Sequence, residues 1–326
     1  MKDQFGRQIR YLRISVTDRC NLRCTYCMPE EGLPWIPKAE MLNYEEIAEI
    51  VRQMADMGLE RVRITGGEPL IRHDLPRLVE MIAAVDGIDD ISLSTNAILL
   101  PRFAGRLRDA GLQRVNVSLD TLDKDAFVKI ARRPARRFEE TLIGLRAAED
   151  AGFSPIKINC VLMRGLNDNE VPAFAQMTRR RPWHVRFIEL MPVGENLHLT
   201  DRYVSTDEAL ERINGVGGLE PDPGPLGNGP AVYYRFPGGR GTVGVITPMS
   251  HNYCDRCNRM RLTADGRLRT CLFGDHEVDL KGPLRESGTI EAAVLEALAG
   301  KPKQHYLQIG SASGSGGLAA LSQVGG

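Results

Sequence analysis

Six short runs of β-forming residues recur along the first two thirds of the chain, and stretches with helical periodicity separate them. The runs are YLRISVT (11–17), RVRITG (61–66), DISLST (90–95), RVNVSL (114–119), IKINCVL (156–162) and HVRFIEL (184–190). Strand–helix alternation of this kind predicts a parallel sheet with right-handed crossovers, which excludes most other architectures. The clearest helix runs from Asn43 to about Met57, with Ile47, Ile50, Val51 and Met54 on one face and Asn43 as its cap. Others start near Leu75, Pro101, Thr141 and Asn169. Six units fall short of the eight that close a barrel, so an open, partial α/β barrel of (β/α)6 type is expected.

Within the runs, alternate residues separate by polarity. Leu12, Ile14, Val62, Ile64, Ile91, Leu93, Val115, Val117 and Leu119 take one face. Arg13, Ser15, Arg61, Arg63, Ser92, Ser94, Asn116, Ser118, Lys157 and Asn159 take the other. Helices cover the outside of a parallel barrel, so its outer face is apolar and the polar set points into the lumen. A closed barrel fills its interior with aliphatic layers; this lumen is expected to hold something polar and anionic. The plainer alternative, a sheet with one solvated face, is commoner among antiparallel sheets.

After Asn214 the composition changes. GVGGLEPDPGPLGNGP reads as a linker or long loop, followed by short β-like pieces and a helical stretch near 290–299. The expected division is a barrel at 1–214 and a smaller C-terminal module at 215–326. Lysine plus arginine equals aspartate plus glutamate at 42 each, which argues against a generic nucleic-acid or anionic-membrane binder. No apolar run reaches membrane length, and the first residues lack a signal core, so a cytoplasmic protein is expected.

In a reducing compartment the seven cysteines are available for metals or catalysis. Cys20, Cys24 and Cys27 form C-x3-C-x2-C directly after the first strand, on the face where barrel active sites sit. Three clustered thiolates suit an iron–sulfur cluster or zinc, with redox thiols a third reading. The first histidine is His73, so a structural zinc lacks a nearby fourth ligand there. Cys254, Cys257 and Cys271 form C-x2-C-x13-C, and His251 and His276 keep zinc and cluster equally open. Cys160 reads as a packed core residue. TGGEP (65–69), STN, SLD and ELMP follow strands two, three, four and six, and their shared location gives them weight.

Together CNLRCTYC, TGGEP and the six-unit barrel resemble the radical S-adenosylmethionine superfamily. The CNRMRLTADG stretch between Cys257 and Cys271, the long reach between triplets and the terminal Gly325-Gly326 resemble the GTP 3′,8-cyclase family. That family opens molybdenum cofactor biosynthesis. The resemblance implies two [4Fe–4S] clusters, one on Cys20, Cys24 and Cys27 and one on Cys254, Cys257 and Cys271. It implies S-adenosylmethionine contacts at Tyr26, Gly67, Ser118 and Met191. GTP contacts are implied at Arg13, Arg63, Ser94, Lys157, Arg259, Met260 and Arg261, with catalytic roles for Arg261, Gly325 and Gly326. Four of the GTP positions already belong to the polar lumen set, and five are cationic, as a triphosphate requires.

The implied reaction is radical conversion of GTP to (8S)-3′,8-cyclo-7,8-dihydroguanosine 5′-triphosphate. A flavodoxin or ferredoxin would supply electrons, and cyclic pyranopterin monophosphate synthase would take the product; a homodimer is left open. Two positions depart from the family, Ser94 for threonine and Ala97 for glycine, and a Cβ at 97 resists positive φ. The competing readings are a peptide-modifying radical S-adenosylmethionine enzyme with an auxiliary cluster and a zinc-stabilised binding module.

Overall fold

The computed structural model describes residues 1–227, 229–307 and 320–324. The six expected strands form where the alternation places them: β1 (Tyr11–Ser15), β2 (Arg61–Thr65), β3 (Asp90–Thr95), β4 (Arg114–Ser118), β5 (Ile156–Val161) and β6 (Trp183–Ile188). Helices α1 (Tyr44–Asp56), α2 (Leu75–Ala83), α3 (Leu100–Asp109), α4 (Lys124–Ala131), α5 (Arg136–Asp150) and α6 (Val171–Arg180) connect them. β4 is thus followed by two helices rather than one. Asn43 caps α1 as expected, accepting the Glu46 N–H at 2.7 Å while the Glu46 carboxylate accepts the Asn43 N–H at 2.8 Å. This reciprocal cap contributes about 1 kcal/mol. Ile47, Ile50, Val51 and Met54 are buried beneath it, each contributing about 1.5–3 kcal/mol.

The chain beyond 215 does not build a sheet of its own. After α7 (Thr206–Asn214) come β7 (Glu220–Asp222), β8 (Val232–Arg235), β9 (Thr242–Ile246), β10 (Arg259–Leu262), β11 (Arg267–Arg269) and β12 (Glu277–Asp279). Helices α8 (Lys281–Ser287), α9 (Glu291–Ala299) and α10 (Leu321–Val324) follow. β9 pairs parallel with β6, and β10 pairs parallel with β1. The result is a 12-stranded open sheet in the order β12-β11-β10-β1-β2-β3-β4-β5-β6-β9-β8-β7. The edges of the six-stranded barrel, β1 and β6, are therefore covered by later sequence, which leaves only the short strands β12 and β7 at the margins of the sheet.

Register places residues of like parity side by side. Arg13 lies beside Arg63 and Arg261, Asn116 beside Ser94 and Lys157, and Asn159 beside Ser118 and Arg186. Leu12, Ile14, Val62, Ile64, Leu93, Val115 and Val117 are fully buried on the opposite, helix-covered face. Among the described residues no helix is long and apolar enough to cross a membrane.

Candidate active site

The loop after β1 carries the first triplet, and Cys20, Cys24 and Cys27 wall one cavity of about 1100 Å³ measured out to its mouth. Tyr26, Gly67, Ser118 and Met191 wall the same cavity, as does Ser94, whose buried hydroxyl has no partner among the described residues. These residues come from the ends of five strands, β1 to β4 and β6, so the sheet gathers segments that are far apart in sequence. Adjacent glycines in TGGEP suggest close approach of a ligand; the structure shows that the approaching group is the chain itself. A Cβ on Gly66 would sit 2.4 Å from the Thr17 carbonyl, and one on Gly67 would sit 2.3 Å from that of Arg19. Glycine here lets the cysteine loop lie against the end of β2.

Two acids complete this cavity. Glu68 accepts from the Thr95 hydroxyl (2.7 Å), the Asn96 N–H (2.8 Å) and the Leu70 N–H (3.1 Å), and burial raises its carboxyl to about 7. Asp120 accepts the Tyr26 hydroxyl at 2.8 Å and the Val161 N–H at 2.9 Å, and burial raises it to about 6. Both stand in motifs noted above, Glu68 in TGGEP and Asp120 in SLD. An acid at a strand end was the available signal. Burial pushes the Cys20 and Cys27 thiols up to about 12, with Glu68 adding to the effect at Cys20. Such thiols ionise when a cation takes their charge.

Cys254, Cys257 and Cys271 wall a second cavity, about 510 Å³ measured out to its mouth, with Tyr253, Arg259, Arg261, Phe273 and His305. Burial pushes the Cys257 thiol up, but Lys301, Arg259 and Arg7 outweigh it and hold the group below its ordinary value. The histidines noted as fourth zinc ligands are elsewhere: His251 is exposed and paired with Asp207, and His276 lies against Gly300. Among the described residues no three Cys, His, Asp or Glu side chains converge on a point fit for a single metal ion. None of the seven cysteines forms a disulfide, so both triplets are present as free thiols. Cys160 is packed in the core.

Arg13, Arg63 and Lys157 lie on the lumen face, joined by Arg114, His184 and Arg186, which the parity set above omits. The same alternation carried them, since His184 and Arg186 flank Val185 within one run. Asp90 on this face is taken up by Arg114. Burial, and then Arg186, Arg114 and Arg63, lower Lys157 to about 6. Burial likewise lowers Arg63 and Arg261 to about 10, and Arg13 falls well below its ordinary value through burial, Arg261 and Arg63. Buried cations that repel one another are a receptacle for an anion. Where the strands begin, the glycine–proline loop closes the lumen: the Leu226 carbonyl accepts from Arg114 (2.7 Å) and Lys157 (2.5 Å).

Met260 pairs with Leu12 and its side chain is buried in the core, on the opposite face of the strand from Arg259 and Arg261. Ala97 keeps a left-handed backbone, φ 64°, despite its Cβ. Gly325 and Gly326 lie outside the described residues, but α10 just before them is buried. Leu321 walls the first cavity, and the Val324 carbonyl accepts from Arg261 at 3.2 Å.

Residues 14–178 match the radical SAM superfamily and residues 183–307 match the Molybdenum Cofactor Synthesis C family. The GTP 3′,8-cyclase of Moorella thermoacetica is 48% identical over 329 residues, covering 100% of both chains. That of Pelotomaculum thermopropionicum is 51% identical, covering 94% of this chain and 95% of its own. The chain belongs to the GTP 3′,8-cyclase family. It is a radical SAM enzyme, which overturns the zinc-stabilised binding module. The structure of Streptococcus suis SuiB bound to precursor peptide SuiA is similar in fold, with TM-score 0.61 at 16% identity over 91% of this chain and 66% of that one.

Proposed function

We propose that this protein converts GTP to (8S)-3′,8-cyclo-7,8-dihydroguanosine 5′-triphosphate, the first step of molybdenum cofactor biosynthesis, in the cytoplasm. The observation that carries the reading is a cation-lined lumen on a sheet whose two ends each bring three thiols to a cavity. The barrel, 1–214, would hold the first cluster on Cys20, Cys24 and Cys27, and the C-terminal part, 215–326, the second on Cys254, Cys257 and Cys271. When bound, the first cluster and S-adenosylmethionine supply a 5′-deoxyadenosyl radical for removal of the ribose C3′ hydrogen.

The chain's own residues bind, orient and exclude water. Tyr26, Gly67, Ser118 and Met191 shape the S-adenosylmethionine side of the first cavity, with Tyr26 held by Asp120. Arg13, Arg63, Lys157 and Arg186 receive the triphosphate, whose roughly four negative charges answer their mutual repulsion. Arg259 and Arg261 direct the guanine end toward the second triplet, so that C3′ and C8 are held at near contact for ring closure. Gly325 and Gly326 would complete the site beyond α10. The product would pass to cyclic pyranopterin monophosphate synthase, and a flavodoxin or ferredoxin would deliver the electrons. The peptide-modifying alternative has only the fold shared with SuiB behind it.

The test is anaerobic. The protein is reconstituted with iron and sulfide, reduced with dithionite and given S-adenosylmethionine with GTP, ATP or no nucleotide. The expected result is about eight irons and 5′-deoxyadenosine formation stimulated by GTP alone. Formation indifferent to the nucleotide would overturn the cyclase reading.

A further inference from the structure

The loop that carries the first triplet has arginines beside it that take no part in the cavity. The turn after α4 is strapped to that loop: the Arg23 N–H donates to the Ala131 carbonyl (3.0 Å) and the Thr25 N–H to the Ile130 carbonyl (2.9 Å). The strap continues as Arg132-Arg133-Pro134-Ala135-Arg136-Arg137, with no acid between Asp125 and Glu139. The Arg23 guanidinium donates to the Cys20 and Leu22 carbonyls (2.8 and 2.9 Å), Arg133 to the Asn21 carbonyl (3.0 Å) and Arg132 to the Met28 carbonyl (3.4 Å). Carbonyls orient these groups but leave their charge in place. Arg23, Arg132, Arg133 and Arg136 form no ion pair among the described residues; Glu139 is taken by Lys124 and Glu140 by Arg137. Glu30 and Glu31 are exposed on the segment that passes Arg23 at Gly32. Burial and then Arg23 hold Arg133 below its ordinary value, as expected of crowded cations. None of these arginines walls the first cavity.

We propose that this arginine face docks the electron donor, an acidic one-electron carrier protein, against the outer side of the 20–24 loop. This rests on the proposed function, which places a redox cluster on that loop and requires one electron for it. The exchange moves that electron alone: the carrier is oxidised by one electron, the first cluster is reduced by one, and no atom is transferred. The inner side of the loop belongs to the cavity, which Leu321 of α10 helps to wall and which is assigned to S-adenosylmethionine. A protein therefore approaches from the outside, where the arginines stand. Redox encounters have small interfaces and are guided by charge more than by buried area. On a chain with 42 cationic and 42 acidic residues, four guanidinium groups without acid partners are a local excess that fixes where such guidance leads.

The experiment reads binding as well as turnover. An acidic flavodoxin, in its oxidised form, is titrated by calorimetry into anaerobically reconstituted enzyme. In parallel, 5′-deoxyadenosine formation with GTP is driven either by reduced flavodoxin or by dithionite. Wild-type binding is expected to weaken by about tenfold between about 50 and about 300 mM salt. Arg132→Glu with Arg136→Glu should weaken binding and the flavodoxin-driven rate by about tenfold or more, while iron content and the dithionite-driven rate stay within about twofold. Lysine at both positions keeps the charge and should restore most of the binding. Arg180→Glu with Arg240→Glu makes the same change in charge where the strands begin, at the other end of the barrel, and should bind like the wild type. Arg136→Glu alone carries the test if the change at Arg132 disturbs the end of α4. Absence of flavodoxin binding to the wild type, binding that salt does not weaken, or equal losses in the two glutamate pairs would overturn the inference. So would a flavodoxin-driven rate that the first pair leaves unchanged. A dithionite-driven rate in the wild type that ignores GTP would instead remove the cyclase reading, and the binding comparison would still decide the docking face.

Discussion

Lys157 shows how a single residue acquires a property its neighbours in sequence do not confer. Burial beside Arg186, Arg114 and Arg63 lowers it to about 6, so at pH 7.5 the empty site holds it mostly neutral. A triphosphate favours the charged form, so binding takes up a proton. GTP affinity should therefore fall as pH rises from 7 toward 9, by up to about tenfold per unit while Lys157 remains charged in the complex. Above pH 7 the terminal phosphate is already ionised, and calorimetry in buffers of different ionisation enthalpy counts the protons directly. Lys157→Met should abolish the uptake; an unchanged count would remove Lys157 from the site. Arg261, which faces the second cavity and bonds the Val324 carbonyl, gives a second expectation. Arg261→Ala should retain cluster assembly yet lose GTP-dependent 5′-deoxyadenosine formation. Unchanged product formation at low GTP would show that Arg261 is dispensable. Ala97 shows a compensation at the same scale. Its left-handed backbone costs about 1–2 kcal/mol, but glycine would forfeit a buried methyl worth about 0.8 kcal/mol and pay about 0.5–1 kcal/mol of chain entropy. The terms nearly cancel, so alanine is tolerated. The two thiol triplets, Lys157 and the arginines of β1 and β2 were legible from spacing and parity. His305 was not, because nothing in its own sequence neighbourhood marks which of six histidines will meet the triplet.

Elements meet at Glu189, the residue after β6. Its carboxylate accepts from the Tyr203 hydroxyl (3.0 Å), the Thr206 N–H (3.3 Å), the Met249 N–H (2.9 Å) and the Ser250 N–H (3.0 Å). One buried acid thus joins the strand end that carries Met191, the start of α7 and the loop before Cys254. Glu189→Gln turns an amide toward backbone donors and should lower stability by about 2–4 kcal/mol, read from chemical denaturation. The second site should lose iron while the first keeps it; equal iron at both sites would confine Glu189 to stability alone. The strands and α1 were legible because their periodicities are strict. α4 was not, since its eight residues give only two helical turns between motifs. The glycine–proline stretch after 215 read as a linker or long loop, and apart from the short β7 it is a loop. Its use as a plug depends on Leu226 meeting Arg114 and Lys157, a long-range contact with no local trace.

At the scale of the whole molecule, β9 and β10 cover the two edges that six strands leave open. A fragment of residues 1–214 would expose the backbone of β1 and β6 to pairing with other chains. It is expected to aggregate or run as an oligomer on size-exclusion chromatography, and a well-folded monomeric fragment would show that edge cover is unnecessary. By itself the sequence determined the barrel's strands, the polar face of its lumen and the two thiol triplets, because alternation and close spacing are local patterns written within a few residues. Which acids and histidine face the cavities, how the tail reaches Arg261, and how later strands split between opposite edges were decided only by the tertiary structure. These depend on contacts between residues tens to hundreds of positions apart, where the chain's path, not its local pattern, sets what meets.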